Sequence, residues 1–186
     1  CSPVLRHGHH RCGTVALVEE LLSTILAEGE KALIFTQYKE FGEYLSDYVR
    51  KRFGVPAPFL HGSLRREERD AMVDSFQSPD GPPIMVLSLK AGGTGLTLTA
   101  ANHVIHYDRW WNPAVENQAT DRAYRIGQTK DVQVRKLVCD GTIEERIDDI
   151  ISHKSTMSDL VVSTGETWLT ELDDEQLQEL FRLEVT

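Results

Sequence analysis

Cysteine is scarce in this chain, and no long apolar run is present. Three cysteines, Cys1, Cys12 and Cys139, are too few and too scattered for a disulfide framework, so a reducing interior, cytosol or nucleoid, is the expected setting. The longest stretch free of charged residues and histidine runs from Ala91 to Asn102, 12 residues rich in glycine and threonine, too short and too polar to cross a bilayer. No charged-then-apolar leader pattern follows Cys1. The first residue is not methionine, and the chain is read as a fragment of a longer protein. The phosphate-gripping pattern GxxxxGKS/T is absent throughout, which excludes a self-sufficient nucleotide site of that kind.

Basic residues are also outnumbered, 20 Lys and Arg against 29 Asp and Glu, for a net charge of −9. That balance looks wrong for a partner of nucleic acid, which is gripped by lysine and arginine. The acids are concentrated, however. Glu166, Glu171, Asp173, Asp174, Glu175, Glu179 and Glu184 face only Arg182 in the tail, a net of −6 that leaves −3 for the rest of the chain. Global charge therefore neither supports nor excludes a nucleic-acid role. Apolar residues at 40% and charged residues at 26% are ordinary for a globular domain, and 186 residues suffice for one domain plus an appendage.

What is present is alternation. Val15, Val18, Leu21, Leu22, Ile25 and Leu26 recur at helical spacing before Gly29, and Lys31 to Thr36 follows as a short apolar strand. A second helix carries Phe41, Tyr44, Leu45, Tyr48 and Val49 on one face and ends near Gly54. Pro58 to His61 reads as a strand, Leu64 to Phe76 as a helix with Ser63 as N-cap, and Ser78 to Pro83 as a turn. Further strands are expected at Ile84 to Leu89, His103 to Tyr107 and Val132 to Val138, with helices at Ala114 to Arg125 and Thr142 to about Met157. Apolar strands alternating with amphipathic helices imply an α/β fold, a parallel sheet with helices on both faces. The acidic tail, with Leu172, Leu177, Leu180 and Phe181 at helical spacing, is expected to be a helical extension docked outside it.

In such sheets the working groups lie beyond the carboxyl ends of the strands. That rule gathers Thr36 to Tyr38, His61 to Ser63, Lys90 to Leu96 and Asp108 to Pro113 along one edge. Three segments carry chemistry. In Gln118 to Gln128, a helix would put Gln118, Arg122 and Arg125 on one stripe and Ala119, Ala123 and Ile126 on a buried one beside it. The arginine stripe is either a basic face, solvated or paired with Glu116 or Asp121, or a receptor for an anion such as a polyphosphate. Ser88 to Thr99 leaves a strand into a turn with Gly92, Gly93 and Gly95; it is either a structural turn or a phosphate cradle of outward backbone N–H groups. In Tyr107 to Pro113 two tryptophans, Trp110 and Trp111, either plug a core gap or stack on a base or sugar. His7, His9, His10 and Cys12 match no standard zinc spacing, and Cys139 reads as strand packing.

The succession Leu33-Ile-Phe-Thr-Gln-Tyr38, Leu60-His-Gly-Ser63, Leu87 to Leu96, Asp108-Arg-Trp-Trp-Asn-Pro113 and Gln118 to Gln128 resembles motifs IV to VI of SWI/SNF-family ATPases of helicase superfamily 2, most nearly bacterial ones. The resemblance implies a RecA-like second lobe, with a connector over residues 1–14, the lobe over 15–157 and a helical brace over 158–186. It implies that ATP and Mg²⁺ are held mainly by an N-terminal RecA-like lobe. By motif match, Arg122 and Arg125 act as arginine fingers with Gln118 beside them, and Gly93, Thr94 and Gly95 lie against the nucleotide. Gln37, His61, Gly62, Ser63, Lys90, Thr94 and Trp111 would follow the backbone of double-stranded DNA. Relatives tend to read Ser-Gly-Lys where this chain has Cys12-Gly13-Thr14, so the lysine contact expected there is missing. The function implied is an ATP-dependent duplex translocase that remodels protein–DNA complexes, with this lobe inactive alone and DNA-bound proteins as further partners. Two other readings stand beside it: a lobe of an RNA helicase, and a regulatory module with a non-catalytic nucleotide site.

Overall fold

The computed structural model describes residues 13–89, 96–108 and 113–138. Their order is α1 (Gly13–Ala27), β1 (Ala32–Thr36), α2 (Lys39–Phe53), β2 (Phe59–Leu60), α3 (Arg66–Gln77), β3 (Ile84–Ser88), β4 (His103–His106), α4 (Pro113–Thr120) and β5 (Gln133–Lys136). The expected helix over 142–157, the tail over 158–186 and Cys139 lie outside the described residues.

The five strands form one sheet in the order β2-β3-β1-β4-β5, every pairing parallel. β1 is central, with Ala32 level with Ile84 on one side and His103 on the other. Its five residues are all buried, as expected of a strand covered on both faces. Successive side chains of a strand point to opposite faces, and the two cores follow that period. Ala32, Ile34, Ile84, Val86 and Ile105 pack with Val15, Val18, Leu22 and Ile25 of α1 and Phe41, Leu45 and Val49 of α2. Leu33, Phe35, Met85, Leu87 and Val104 pack on the other face with Phe76 of α3, Leu98, and Ala119 and Ala123. Each large apolar side chain so buried contributes on the order of 1.5–3 kcal/mol, more than helix propensity alone supplies.

Local chemistry sets the ends. Gly29, at φ 66°, closes α1: its N–H reaches Leu26 O at 3.2 Å and the Glu30 N–H reaches Ile25 O at 3.0 Å, the paired bonds of a Schellman turn. Gly54, at φ 68°, ends α2 with its N–H on Arg50 O. After α3, Lys31 Nζ donates to the carbonyls of Phe76 (2.8 Å) and Ser78 (2.6 Å). Its ammonium thus ties the α3 exit to the start of β1.

Two expectations are corrected here. Ser63 is not the N-cap of α3: it lies in a turn closed by Leu64 N–H on His61 O at 3.2 Å, and α3 begins after Arg65, whose N–H is taken by the Glu68 carboxylate at 2.9 Å. A side chain three residues into the helix supplies the cap in place of the preceding hydroxyl. The helix expected from Ala114 to Arg125 stops at Thr120. After the Asp121 N–H on Asn117 O at 2.8 Å the bonds tighten to three-residue spacing, Arg122 N–H to Ala119 O at 3.3 Å and Ala123 N–H to Thr120 O at 3.0 Å, which takes the backbone off the α-helical path. Beyond that tightening, the Arg122 carbonyl accepts Leu98 N–H at 3.0 Å, the Ala123 carbonyl accepts Gln128 Nε2 at 3.2 Å, and Gly127 turns away at φ 106°. Ile126 therefore leaves the buried stripe and is fully exposed, whereas Ala119 and Ala123 are buried as expected.

At the amino edge Glu30 Oε2 meets His103 Nε2 at 2.5 Å, and Arg135 NH1 meets His103 Nδ1 at 3.0 Å. A guanidinium only donates, so Nδ1 accepts and Nε2 carries the proton toward Glu30. The His103 contact first, then Asn102 and Lys130, hold the Glu30 carboxyl down from 4.5 to about 2. A carboxyl lowered by folding stabilises the fold above its unfolded pKa and loses that contribution as pH falls toward the folded one. Stability is therefore expected to drop between pH 4.5 and about 2. Glu30→Gln should flatten that part of the profile in urea melts run across the range, and an unchanged acid limb would refute the assignment.

Candidate functional site

Arg122 is 3% exposed, and its Nε and NH1 are buried with no hydrogen-bond partner. Burial first, and then the neighbouring Arg125 charge, push its pKa down, against a small opposing pull from Asp121. Glu116, one of the carboxylates that could have neutralised the arginines, is buried and held by Lys136 Nζ at 2.9 Å. A buried guanidinium with unsatisfied donors costs several kcal/mol unless an anion completes it. The donor fork of Arg122, with the Arg125 charge close by, suits a phosphate group.

Both arginines meet Thr97 and Leu98, which follow the glycine-rich stretch in sequence. The Arg122 carbonyl holds Leu98 N–H at 3.0 Å, and Arg125, itself exposed, reaches Thr97 Oγ1 with NH1 at 3.4 Å. Gln118 is exposed one turn earlier on α4. The same segment is fixed from both sides by glutamines. Gln77 Oε1 accepts Ala100 N–H at 2.8 Å. Gln128 Nε2 lies against the carbonyls of Thr99 (3.1 Å), Ala101 (2.8 Å) and Ala123 (3.2 Å), and its Oε1 accepts Lys130 N–H at 3.0 Å. Sequence reasoning included Gln128 in the motif without a role. Its amide joins three carbonyls from two separate segments, which no helical spacing reveals.

A second group lies at the carboxyl edge. Gln37 follows β1, and its N–H donates to Asp108 Oδ2 at 2.9 Å. The Thr36 hydroxyl donates to the same oxygen at 2.5 Å. Asp108 follows β4, and burial raises its pKa against the hydrogen bonds from Thr36 and Gln37. His61, Gly62 and Ser63 follow β2. Gly62 and Ser63 are exposed, and the His61 ring lies 5.1 Å from Phe59, its Nδ1 buried without a partner. With β3 between β2 and β1, the Gln37 and His61 strand ends are two spacings apart, roughly 10 Å. Lys90, Gly93, Thr94, Gly95 and Trp111, like His7, His9, His10 and Cys12, lie outside the described residues.

Among the described residues one cluster has metal-ligand chemistry: Glu28, Glu30 and His103, whose ligand atoms lie within 4.8 Å of one another. It does not fit a metal. His103 Nε2 carries a proton bound by Glu30 and Nδ1 is occupied by Arg135, so neither ring nitrogen has a lone pair to offer. No helix among the described residues is long and apolar enough to cross a membrane.

Comparison with known proteins identifies the family and the fold. The signature described as helicase conserved C-terminal domain matches residues 14–127. YwqA of Bacillus subtilis (strain 168), provisionally named an ATP-dependent helicase/translocase, is 56% identical over 167 residues; the match takes in 90% of this chain but only 18% of that protein's length. The solved SWI2/SNF2 ATPase C-terminal domain of Sulfolobus solfataricus is 39% identical with a TM-score of 0.75, over 99% of this chain and 76% of that one. The Sulfolobus solfataricus SWI2/SNF2 ATPase core in complex with dsDNA is 40% identical with a TM-score of 0.79, over 99% of this chain and 39% of that one. The parallel sheet with helices on both faces is thus a RecA-like α/β fold.

Gln128→Ala deletes the amide that joins residues 99–101 to residue 123. A loss of about 1–3 kcal/mol is expected from the stranded carbonyls, together with faster amide exchange over 121–130 than over β1. Exchange that rises uniformly across the sheet, or not at all, would contradict a local clamp.

Proposed function

This chain belongs to the helicase conserved C-terminal domain family, in its SWI2/SNF2 branch, and from that premise we propose that it is the second motor lobe of an ATP-dependent double-stranded DNA translocase that remodels protein–DNA complexes. In this reading the lobe proper runs over 15–157, with 158–186 as a helical brace. Its partner is an N-terminal RecA-like lobe that carries the phosphate-gripping loop and the acid that holds Mg²⁺. ATP is the substrate, bound in the cleft between the two.

The observation that carries the reading is Arg122, buried with unsatisfied nitrogens beside a second arginine. Arg122 and Arg125 act as fingers toward the terminal phosphates, with Gln118 and the Gly93-Thr94-Gly95 turn alongside. An arginine finger completing a phosphoryl-transfer site is worth roughly 10³ to 10⁵ in rate. Arg125 presents its charge at the surface, while Arg122 is a fixed donor behind it. Hydrolysis by this lobe alone is excluded on this scheme, since nothing in its sequence replaces the phosphate-gripping loop.

Sheet order supports the nucleic-acid half. His61, Gly62 and Ser63 after β2, Lys90 after β3, Gln37 after β1 and Trp111 after β4 follow neighbouring strands in succession. Four strand ends at ~4.8 Å make a row of roughly 14 Å, against a phosphate every ~3.4 Å of axis along one DNA strand. Such a row follows a backbone without reading bases.

The test uses the protein that carries both lobes. Arg125→Ala should leave ATP binding within a few-fold of wild type while duplex-stimulated hydrolysis falls by about 10³ or more. Turnover close to wild type would remove the finger assignment.

A further inference from the structure

Asp108 is half-buried at the carboxyl end of β4, one strand over from β1, and a single carboxylate oxygen serves two donors on the neighbouring strand's exit. Oδ2 accepts the Thr36 hydroxyl at 2.5 Å and the Gln37 N–H at 2.9 Å. The Thr36 oxygen in turn lies 3.4 Å from Tyr38 N–H. Tyr38 is the N-cap of α2 and supplies no side-chain cap, so Asp108 and Thr36 bind the amides that lead into that helix, where negative charge is favoured by the helix dipole. With its N–H engaged by Asp108, the Gln37 backbone is tied to the end of β4.

We propose that Asp108 is a positioning residue for duplex binding: by holding Thr36 and Gln37 on one oxygen, it ties the loop after β1 to the end of β4 and so sets the position from which Gln37 meets the DNA backbone. The inference rests on the reading above that Gln37 faces the duplex. Asp108 itself touches neither nucleotide nor DNA. Contacts made to a ligand by side chains on loops depend on a second layer of hydrogen bonds that holds those loops in register. The desolvation of the carboxylate is offset only in part by its two donors, which makes removal of the whole group different from removal of its charge.

The experiment measures duplex-stimulated ATPase in the two-lobe protein as a function of duplex concentration, alongside the KM for ATP and a thermal melt. Asp108→Ala should raise the half-maximal duplex concentration about tenfold, with the KM for ATP moving less than about twofold. Asp108→Asn retains an oxygen able to accept both bonds and should stay within about threefold of wild type. Thr36→Val, which preserves shape and deletes the hydroxyl, should shift the duplex requirement by a smaller factor in the same direction. If Asp108→Ala does not fold, the Asn and Val variants decide. A Thr36→Val protein that melts cooperatively yet needs no more duplex than wild type overturns the proposal. So does an Asp108→Ala protein whose only change is a lower melting temperature or a smaller active fraction. A wild-type protein whose hydrolysis ignores duplex altogether sinks the motor reading itself. Normal stimulation in wild type with unshifted Asp108 variants sinks only the positioning role.

Discussion

The double pairing of β1 is the constraint on which the other features depend. Ala32–Thr36 lies between β3 and β4 in parallel register, with alternate side chains committed to opposite cores. A slip of one residue would exchange the two faces and bury the wrong set against each helix layer. Because the strand cannot slip, whatever precedes and follows it is fixed to within a side chain's reach. At its start, Glu30 meets His103 and Lys31 meets the exit of α3. At its end, Thr36 and Gln37 meet Asp108.

The groups placed by that strand and by its neighbours differ in electrostatic character. At the amino edge, Glu30, His103, Lys130 and Arg135 form a connected network in which the histidine ring is used at both nitrogens. Such a network can stabilise the fold but has no capacity left for a ligand. The arginine segment is the opposite. It keeps a buried guanidinium with unsatisfied nitrogens, and two glutamines bind the backbone of residues 99–101. Local satisfaction is traded away there, which is what a site built to complete a charged ligand requires.

Much of the architecture was legible from periodicity. The α/β class, the helix faces carrying Val18, Leu22, Phe41 and Leu45, and the strands around Ile34, Val86 and Ile105 follow from spacing alone, because both periods are local properties of the chain. The stop of α4 was not legible: Gln118 to Gln128 has helical spacing, yet after Asp121 the backbone bonds tighten to three-residue spacing, and Leu98 and Gln128 bind the carbonyls of the resulting turn. Ile126 was assigned to a core it does not join for the same reason. Ser63 was a reasonable N-cap by residue type, but Glu68 took the amide from the other side.

The sequence by itself determined the inventory: which residue types stand at the strand exits, that two arginines lie near a glycine-rich turn, and that no phosphate-gripping pattern accompanies them. Only the tertiary structure decided which of those groups are spent and which are held in reserve. Glu116 faces Lys136, Asp108 serves Thr36 and Gln37, and Arg122 is enclosed without a hydrogen bond on Nε or NH1. Pairing between residues far apart in the chain depends on how strands are ordered in the sheet, and that order is a property of packing that no local spacing encodes.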